Sequence, residues 1–85
     1  MGSPGTPSRL LPFAANVRSA RIAAGMTQEQ LARAVPVSLR TVAGWERAEI
    51  RLPNDKSLAA LGQALDRDPA WFIERHEHDA GPVAA

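Results

Sequence analysis

Residues 26–32, MTQEQLA, and residues 37–47, VSLRTVAGWER, decide the fold of this chain. Each stretch opens with an apolar residue followed by a hydroxyl residue: Met26-Thr27 and, eleven positions later, Val37-Ser38. A hydroxyl residue in such a place is a helix N-cap, because its side-chain oxygen accepts from a first-turn backbone N–H that has no partner within the helix. The two stretches therefore predict two short helices in close succession.

The first of these helix starts carries both halves of a capping box. Thr27 is placed to accept from the backbone N–H of Gln30, and the Gln30 side chain is long enough to reach back to the N–H of Thr27. Met26 and Leu31 flank the cap as a hydrophobic staple.

The second helix start is capped by Ser38, with Thr41 where a capping box has Glu or Gln. Pro36 disfavours helical backbone at the residue before it, so the preceding helix is expected to end near Ala34 or Val35. About three residues of turn are left between the two helices, the length of a helix-turn-helix connection.

Apolar residues at helical spacing predict three more helices around this pair, giving an all-α, compact five-helix bundle. The first is expected from Phe13 to a left-handed C-cap at Gly25, the fourth from about Asp55 or Ser57, and a short fifth from the cap Asp68 and Pro69 to near Arg75. The residues expected to face inward are Phe13, Val17, Ala20, Ala24, Leu31, Val35, Val42, Trp45, Leu58, Leu61 and Leu65.

Three segments are expected along the chain. Residues 1–12 are rich in Gly, Pro and Ser and are predicted to be a flexible arm or a cloning remnant. Residues 13–75 form the folded domain, and residues 76–85 a disordered tail.

Length and composition exclude several classes of protein. Eighty-five residues support one small domain, which leaves little room for a large catalytic cavity. The sequence has no cysteine, and therefore no disulfide framework, thiolate zinc site or thiol nucleophile. Because no long apolar run or secretory signal is present, no membrane span is predicted and a cytoplasmic location is expected.

Charge is divided unevenly along the chain. Residues 1–56 contain eight basic and four acidic residues, a balance of +4, whereas residues 57–85 contain two basic and five acidic residues, a balance of −3. The basic half includes both predicted helix starts, so a polyanion would be attracted to that side, although mixed charges that only keep the surface soluble are an equally good explanation.

These elements, in this order, resemble the Cro/repressor-type helix-turn-helix family, also called Xre, over about residues 13 to 74. The matching features are an Arg-x-x-Arg helix at 18–21, Gly25, the Thr-Gln-Glu helix start at 27–29, the Val-Ser cap at 37–38, Trp-Glu-Arg at 45–47, a leucine helix and an aromatic final helix. The resemblance implies a phage-repressor-like domain that binds double-stranded operator DNA as a symmetric homodimer, with the third helix in the major groove.

The resemblance also implies roles for individual residues. It places Leu39, Arg40, Thr41, Ala43 and Gly44 at or near the base edges, and Thr27, Gln28, Ser38, Arg47 and Arg51 at the phosphates. It pairs Arg21 with Glu46 as a structural ion pair between the first and third helices.

Side-chain chemistry supports this division independently. The fork of Arg40 matches O6 and N7 of guanine, and Leu39 offers an apolar surface for a thymine methyl. Gly44 within a helix costs about 1 kcal/mol relative to alanine. Either close approach to the bases or helix packing would explain it.

Three positions depart from the family pattern, because Pro36, Ala48 and Asp66 stand where glycine is usual. Proline is not expected to adopt a positive φ, so the turn before the third helix is predicted to be built differently. Aspartate tolerates the left-handed conformation better than alanine, which makes Asp66 the milder change.

The leading hypothesis is a sequence-specific transcriptional regulator, a small repressor or controller that reads a palindromic operator. The alternative, which the Gly- and Pro-rich arm and the acidic C-terminal tail suggest, is an antitoxin-like interaction module that neutralises a partner protein through its tail and autoregulates by binding DNA. An enzyme is not expected, because no nucleophile-base set, paired carboxylates or phosphate loop stands out.

The C-terminal aromatic and histidine residues have two interpretations each. Trp71 and Phe72 are expected in the core of the last helix, with a dimer contact as the alternative. His76 and His78 are expected on a solvated tail rather than in a metal site, because they lack a third fixed ligand. No cofactor or metal is predicted.

Overall fold

The computed structural model describes residues 10–76, which contain four α-helices followed by one 3-10 helix. The elements are α1 (Leu10–Ala23), α2 (Gln28–Ala34), α3 (Leu39–Glu46), α4 (Asp55–Leu65) and the 3-10 helix (Pro69–Ile73). The predicted all-α class is confirmed for this part of the chain.

The prediction of five α-helices is wrong for the last element, which is a 3-10 helix of five residues. Asp68 caps it and Pro69 begins it, as predicted, but the backbone becomes extended at Glu74. The buried amide of Asn16 in α1 donates to the carbonyls of Trp71, Phe72 and Glu74 at 3.2, 2.8 and 2.7 Å. The Trp71 carbonyl also accepts from the N–H of Glu74 at 3.3 Å, and the amide of Asn16 ties the end of this segment to α1.

Side-chain caps begin α2, α3, α4 and the 3-10 helix. The predicted capping box is confirmed: Thr27 accepts from the N–H of Gln30, and Gln30 accepts from the N–H of Thr27. Ser38 accepts from the N–H of Thr41, and the two hydroxyls lie 2.9 Å apart, so Thr41 replaces the usual Glu or Gln with a hydroxyl contact.

All four α-helices end around a residue with positive φ. These residues are Gly25 (71°), Pro36 (31°), Ala48 (58°) and Asp66 (58°). In each case the N–H of the following residue donates to the carbonyl five positions earlier, as in a Schellman motif: Met26 to Arg21, Val37 to Ala32, Glu49 to Gly44 and Arg67 to Gly62. All four helix ends therefore adopt the backbone conformation that glycine usually provides, although only one of the four residues is a glycine.

The expectation that Pro36 would force a different turn is wrong. Its φ of 31° lies on the left-handed side, away from the value near −65° that the proline ring favours. The surrounding structure holds this angle, because Val37 completes the bond to Ala32 at 3.0 Å and Val35 donates to Leu31 at 2.9 Å. Strain is therefore stored in the turn between α2 and α3.

The first helix begins at Leu10, three residues before the predicted Phe13. Pro12 does not prevent this, because the first-turn N–H groups of a helix have no intrahelical partner and a proline there breaks no bond. The rest of the predicted arm, residues 1–9, and the tail residues 77–85, including His78, lie outside the described residues. The alternative of an interaction module depends largely on those two segments.

The core lies where α1, α3 and the 3-10 helix meet α2 and α4. Phe13 of α1 meets Trp45 of α3 edge to face, with ring centroids 5.9 Å apart. The predicted inward residues are buried apart from Leu58, which is half-buried against the core, and Ala24, which is exposed because α1 has already ended. The buried apolar residues are Phe13, Ala14, Val17, Ala20, Leu31, Ala32, Val35, Val42, Trp45, Leu61, Leu65 and Phe72.

Phe72 is fully buried and Trp71 half-buried, which fits the core interpretation of this pair. His76 stacks on the Trp71 ring, and its Nε2 lies 2.8 Å from the Trp71 carbonyl oxygen. No helix within residues 10–76 is long and apolar enough to cross a membrane.

Candidate nucleic-acid interface

The inward end of α3 is fixed to α1 by a bidentate ion pair. Arg21 Nε lies 2.7 Å from Glu46 Oε2, and Arg21 Nη2 lies 3.0 Å from Glu46 Oε1. The side chains are 14% and 4% exposed. Arg21 also donates to the Met26 carbonyl at 2.9 Å, which ties the pair to the segment that enters α2. The hydrogen bond with Glu46 raises the pKa of Arg21, against the opposing effect of its burial.

A third side chain joins this pair. Gln28 at the start of α2 donates from Nε2 to Glu46 Oε1 at 3.0 Å. The sequence predicted Gln28 at a phosphate and missed this contact, because no local pattern connects residue 28 with residue 46. One carboxylate thus ties together the helices α1, α2 and α3.

The outward side of α3 has different properties. Arg40 is exposed, and within residues 10–76 it makes no ion pair or hydrogen bond. Leu39 is 48% exposed, and Ala43, one helical turn further along, is half-buried. Thr41 is half-buried and directed to the Ser38 hydroxyl. The exposed guanidinium and the leucine beside it therefore lie at the start of α3.

Gly44 lies beneath the side chain of Ile50 and is buried. A Cβ built on Gly44 would stand 3.1 Å from both Cδ1 and Cγ2 of Ile50, tighter than an ordinary van der Waals contact. Packing against Ile50 therefore explains why residue 44 is a glycine. This was the second of the two explanations that the sequence allowed. The side chain of Ile50 is 38% exposed. The sequence did not predict Ile50 as a site residue, because it lies in the irregular segment between α3 and α4.

Leu39, Ala43, Gly44 and Ile50 line an open groove on the outward side of α3. We call this the α3 groove. Its remaining lining residues are the charged side chains Arg40, Arg47 and Glu49. It therefore combines an apolar floor with a charged rim.

The rim of the α3 groove contains one ion pair. Arg47 Nη1 lies 3.5 Å from Glu49 Oε1, and both side chains are more than half exposed. A pair of this kind is worth about 0–1 kcal/mol, so Arg47 exchanges it for another anion at little cost. Arg51, two residues beyond Glu49, is also exposed.

The other two predicted phosphate contacts, Thr27 and Ser38, are exposed, and their hydroxyls serve as helix caps. The start of α3 next to Ser38 presents the unpaired amides and positive end of a helix, which favour an anion. Within residues 10–76 no group of three His, Cys, Asp or Glu residues stands together in a way that could hold a metal ion.

An all-helical domain with two short capped helices in succession, the second anchored on one side and exposed on the other, is a helix-turn-helix domain. A helix-turn-helix family model, HTH_3, matches residues 17–72. The chain belongs to this family, the Xre-type helix-turn-helix proteins, as its sequence had indicated, and it is a DNA-binding transcriptional regulator. A search of curated proteins finds no match.

Solved structures with similar folds include three regulators. The restriction-modification controller protein C.AhdI from Aeromonas hydrophila is 30% identical, with a TM-score of 0.70 over 78% of this chain and 98% of that one. The P22 c2 repressor, solved with a synthetic operator, is also 30% identical, with a TM-score of 0.69 over 75% and 96%. The clp gene regulator ClgR from Corynebacterium glutamicum is 28% identical, with a TM-score of 0.71 over 81% and 72%.

Proposed function

We propose that this chain is a small repressor or controller that binds an inverted-repeat operator as a homodimer, with α3 in the major groove of each half-site. The observation that carries the proposal is the asymmetry of α3. Its inward side is fixed by the Arg21–Glu46 pair, whereas Arg40 on its outward side is exposed and has no ion-pair or hydrogen-bond partner within residues 10–76. A rigid helix with an unengaged guanidinium in its first turn matches how recognition helices read bases.

In this proposal the residues of the outward side have separate tasks. Arg40 reads O6 and N7 of a guanine, and Leu39 contacts a neighbouring apolar base edge. Thr41 and Ala43 lie beside them at the major-groove surface, and Gly44 acts indirectly by supporting Ile50.

The phosphate contacts fix the register of the helix without reading sequence. The proposed set is Thr27, Gln28, Ser38, Arg47 and Arg51. Gln28 would reach a phosphate with the second hydrogen of the amide that it already offers to Glu46. Arg47 would exchange Glu49 for a phosphate oxygen.

A dimer would place two copies of α3 about 34 Å apart, one turn of the duplex, so that symmetric half-sites face symmetric helices. The similarity to the P22 c2 repressor, solved in complex with a synthetic operator, supports operator binding. The operator is therefore expected to be an inverted repeat with half-site centres about 10 base pairs apart.

The test is selection of bound duplexes from a random pool with the wild-type chain, followed by affinity measurements at several salt concentrations. An enriched inverted repeat supports both specificity and dimeric symmetry. Enrichment that survives Arg40→Ala and Leu39→Ala unchanged, in folded variants, contradicts the assignment of the reading surface. A steep salt dependence without any enrichment indicates attraction to the DNA backbone alone and contradicts the proposed function.

A further inference from the structure

Apolar residues on the outward side of α3 are unusual for a surface that meets a polyanion. Leu39 and Ile50 are two of the four large apolar residues that are exposed in the described part of the chain, and both line the α3 groove. Exposure of such side chains beside arginines costs solubility unless they meet an apolar ligand group. A ligand that fits this surface combines an apolar group for Leu39 and Ile50 with negative charge for the arginines.

Ile50 is held in position rather than loosely exposed. Three of its side-chain carbons lie within about 3.2 Å of where a Gly44 Cβ would be, so the isoleucine rests directly on the α3 backbone. A side chain at position 44 would occupy this space. Because Gly44 has no side chain, Ile50 packs directly against α3, next to Leu39 and Ala43.

The charges around the α3 groove agree with a DNA ligand. Arg40 and Arg47 line the same groove, and Arg51 follows Ile50 in the chain. Glu49 is the one acidic lining residue, and it is already paired with Arg47 at 3.5 Å. In the major groove of DNA, the apolar group that a protein meets at a base edge is the 5-methyl group of a pyrimidine.

We infer that the α3 groove is a pocket for the 5-methyl group of a pyrimidine adjacent to the guanine bound by Arg40, and that Ile50 is a specificity-determining residue. The inference rests on the proposed function, because it needs α3 in the major groove. It defines the apolar base edge proposed for Leu39 as a methyl group and adds Ile50, a residue outside α3, to the side chains that contact it. The methyl group is that of thymine or of 5-methylcytosine, which share this chemistry.

The test uses the duplex most enriched by the wild-type chain in the random-pool selection. Each thymine next to the guanine is replaced in turn by deoxyuridine, which removes one methyl group and leaves base pairing unchanged. Burial of one methyl group corresponds to about a four-fold change in affinity, so a loss of that size is expected at one position per half-site. Because the change is made in the DNA, the folding of the protein is not affected.

Two protein variants then assign the preference. Ile50→Ala is expected to reduce the difference between the thymine and deoxyuridine duplexes to about two-fold or less, because only Leu39 and Ala43 remain to contact the methyl group. Ile22→Ala, a matched change at another exposed isoleucine on α1, is expected to keep the four-fold difference. Each variant is compared with itself on two duplexes, so a small loss of stability does not disturb the ratio. A third pair of duplexes, with cytosine or 5-methylcytosine at the sensitive position, separates the two sources of the methyl group.

The possible failures are distinguishable. If the wild-type chain enriches no sequence, the proposed function fails and the inference falls with it. If a sequence is enriched but thymine and deoxyuridine bind equally at every position, the methyl pocket is wrong while the proposed function stands. If Ile50→Ala keeps the full difference, the methyl group is read elsewhere and Ile50 has no role in specificity.

Discussion

The inward and outward sides of α3 differ in burial and in the number of contacts that their side chains make. On the inward side, Val42 and Trp45 are buried, and Glu46 is 4% exposed within a network that joins three helices. On the outward side, Arg40 is exposed and has no partner among residues 10–76. A helix that reads bases must hold its side chains within a fraction of an ångström. The exposed side chains of α3 therefore depend on the contacts of its inward side for their position.

The largest effect is expected from breaking the inward anchor. Glu46→Gln removes the charge that faces the Arg21 guanidinium and leaves a largely buried cation without its partner. A loss of about 3 kcal/mol or more in the free energy of unfolding is expected, and denaturant titration measures it. A loss of this size is a large fraction of the roughly 5–15 kcal/mol by which native domains are stable.

The matched control is Glu29→Gln, which breaks the exposed pair between Glu29 and Arg33 at 3.2 Å. This change should cost about 0.5 kcal/mol or less. The double variant Arg21→Met with Glu46→Leu should recover part of the loss, because it removes both buried charges. Equal costs for Glu46→Gln and Glu29→Gln would contradict the role of Glu46 as an anchor.

The second effect is expected on the outward side and in DNA binding alone. Arg40→Ala should weaken binding of the selected duplex by about 1–3 kcal/mol, because the bidentate contact to guanine is lost. The free energy of unfolding should change by less than about 0.5 kcal/mol, since the side chain is exposed. Fluorescence anisotropy on matched and mismatched duplexes measures the first quantity.

Arg40→Lys is the control for charge. It keeps the positive charge and the attraction to the backbone, but it lacks the planar fork. Base preference should therefore be lost in Arg40→Lys, while the salt dependence stays close to that of the wild-type chain. A uniform loss of affinity on every duplex in Arg40→Ala would show that Arg40 binds phosphate instead.

The third effect is a gain in stability at the end of α3. Ala48 has a φ of 58°, a conformation that costs a residue with a Cβ about 1–2 kcal/mol. Ala48→Gly should relieve this strain and raise the free energy of unfolding by about 1 kcal/mol after the added freedom of the unfolded chain is subtracted. DNA affinity should stay unchanged.

Asp66→Gly is the comparison for this prediction. Asp66 has the same φ of 58° at the end of α4, but aspartate tolerates the left-handed region better than alanine. Its gain should therefore be smaller than that of Ala48→Gly. The reverse order would mean that packing of the half-buried Ala48 methyl outweighs the backbone strain.

The smallest effect is expected at the rim of the α3 groove. Glu49→Gln removes the exposed partner of Arg47 and one negative charge beside the proposed DNA surface. Affinity for any duplex should rise by about two- to three-fold at low salt, with a steeper salt dependence. Glu74→Gln, at an exposed acid after the 3-10 helix, should leave both unchanged.

Local chemistry explains which parts of the fold could be predicted. The capping box at Thr27 and Gln30, the Ser38 cap and the inward stripes each depend on residues within one or two helical turns, and sequence shows such spacing directly. The last helix was predicted as α-helical because its cap and proline are also local signals. The carbonyl of Phe72 in this 3-10 helix accepts from Asn16, more than fifty positions away, and no sequence spacing reveals that contact.

The site divides in the same way. The family resemblance predicted Arg40 and Leu39 as base-reading residues, and the fork of an arginine and the apolar surface of a leucine suit that role. This assignment stays a prediction. Two other contacts join residues from different elements: Gln28 binds Glu46, and Ile50 packs on Gly44. Only the packed structure brings these residues together.

By itself, the sequence of this protein determined where α2, α3, α4 and the 3-10 helix start, most of the residues that form the core and, through its resemblance to a known family, which class of protein it is. The helix starts and the core follow from hydrogen-bonding side chains and apolar spacing within a few residues. The tertiary structure alone decided that Pro36 and Ala48 adopt positive φ, that Glu46 serves three helices and that Ile50 completes the α3 groove. The reason is that packing of the whole domain outweighs the preference of a single residue, by imposing about 1–3 kcal/mol of local strain where the fold requires it.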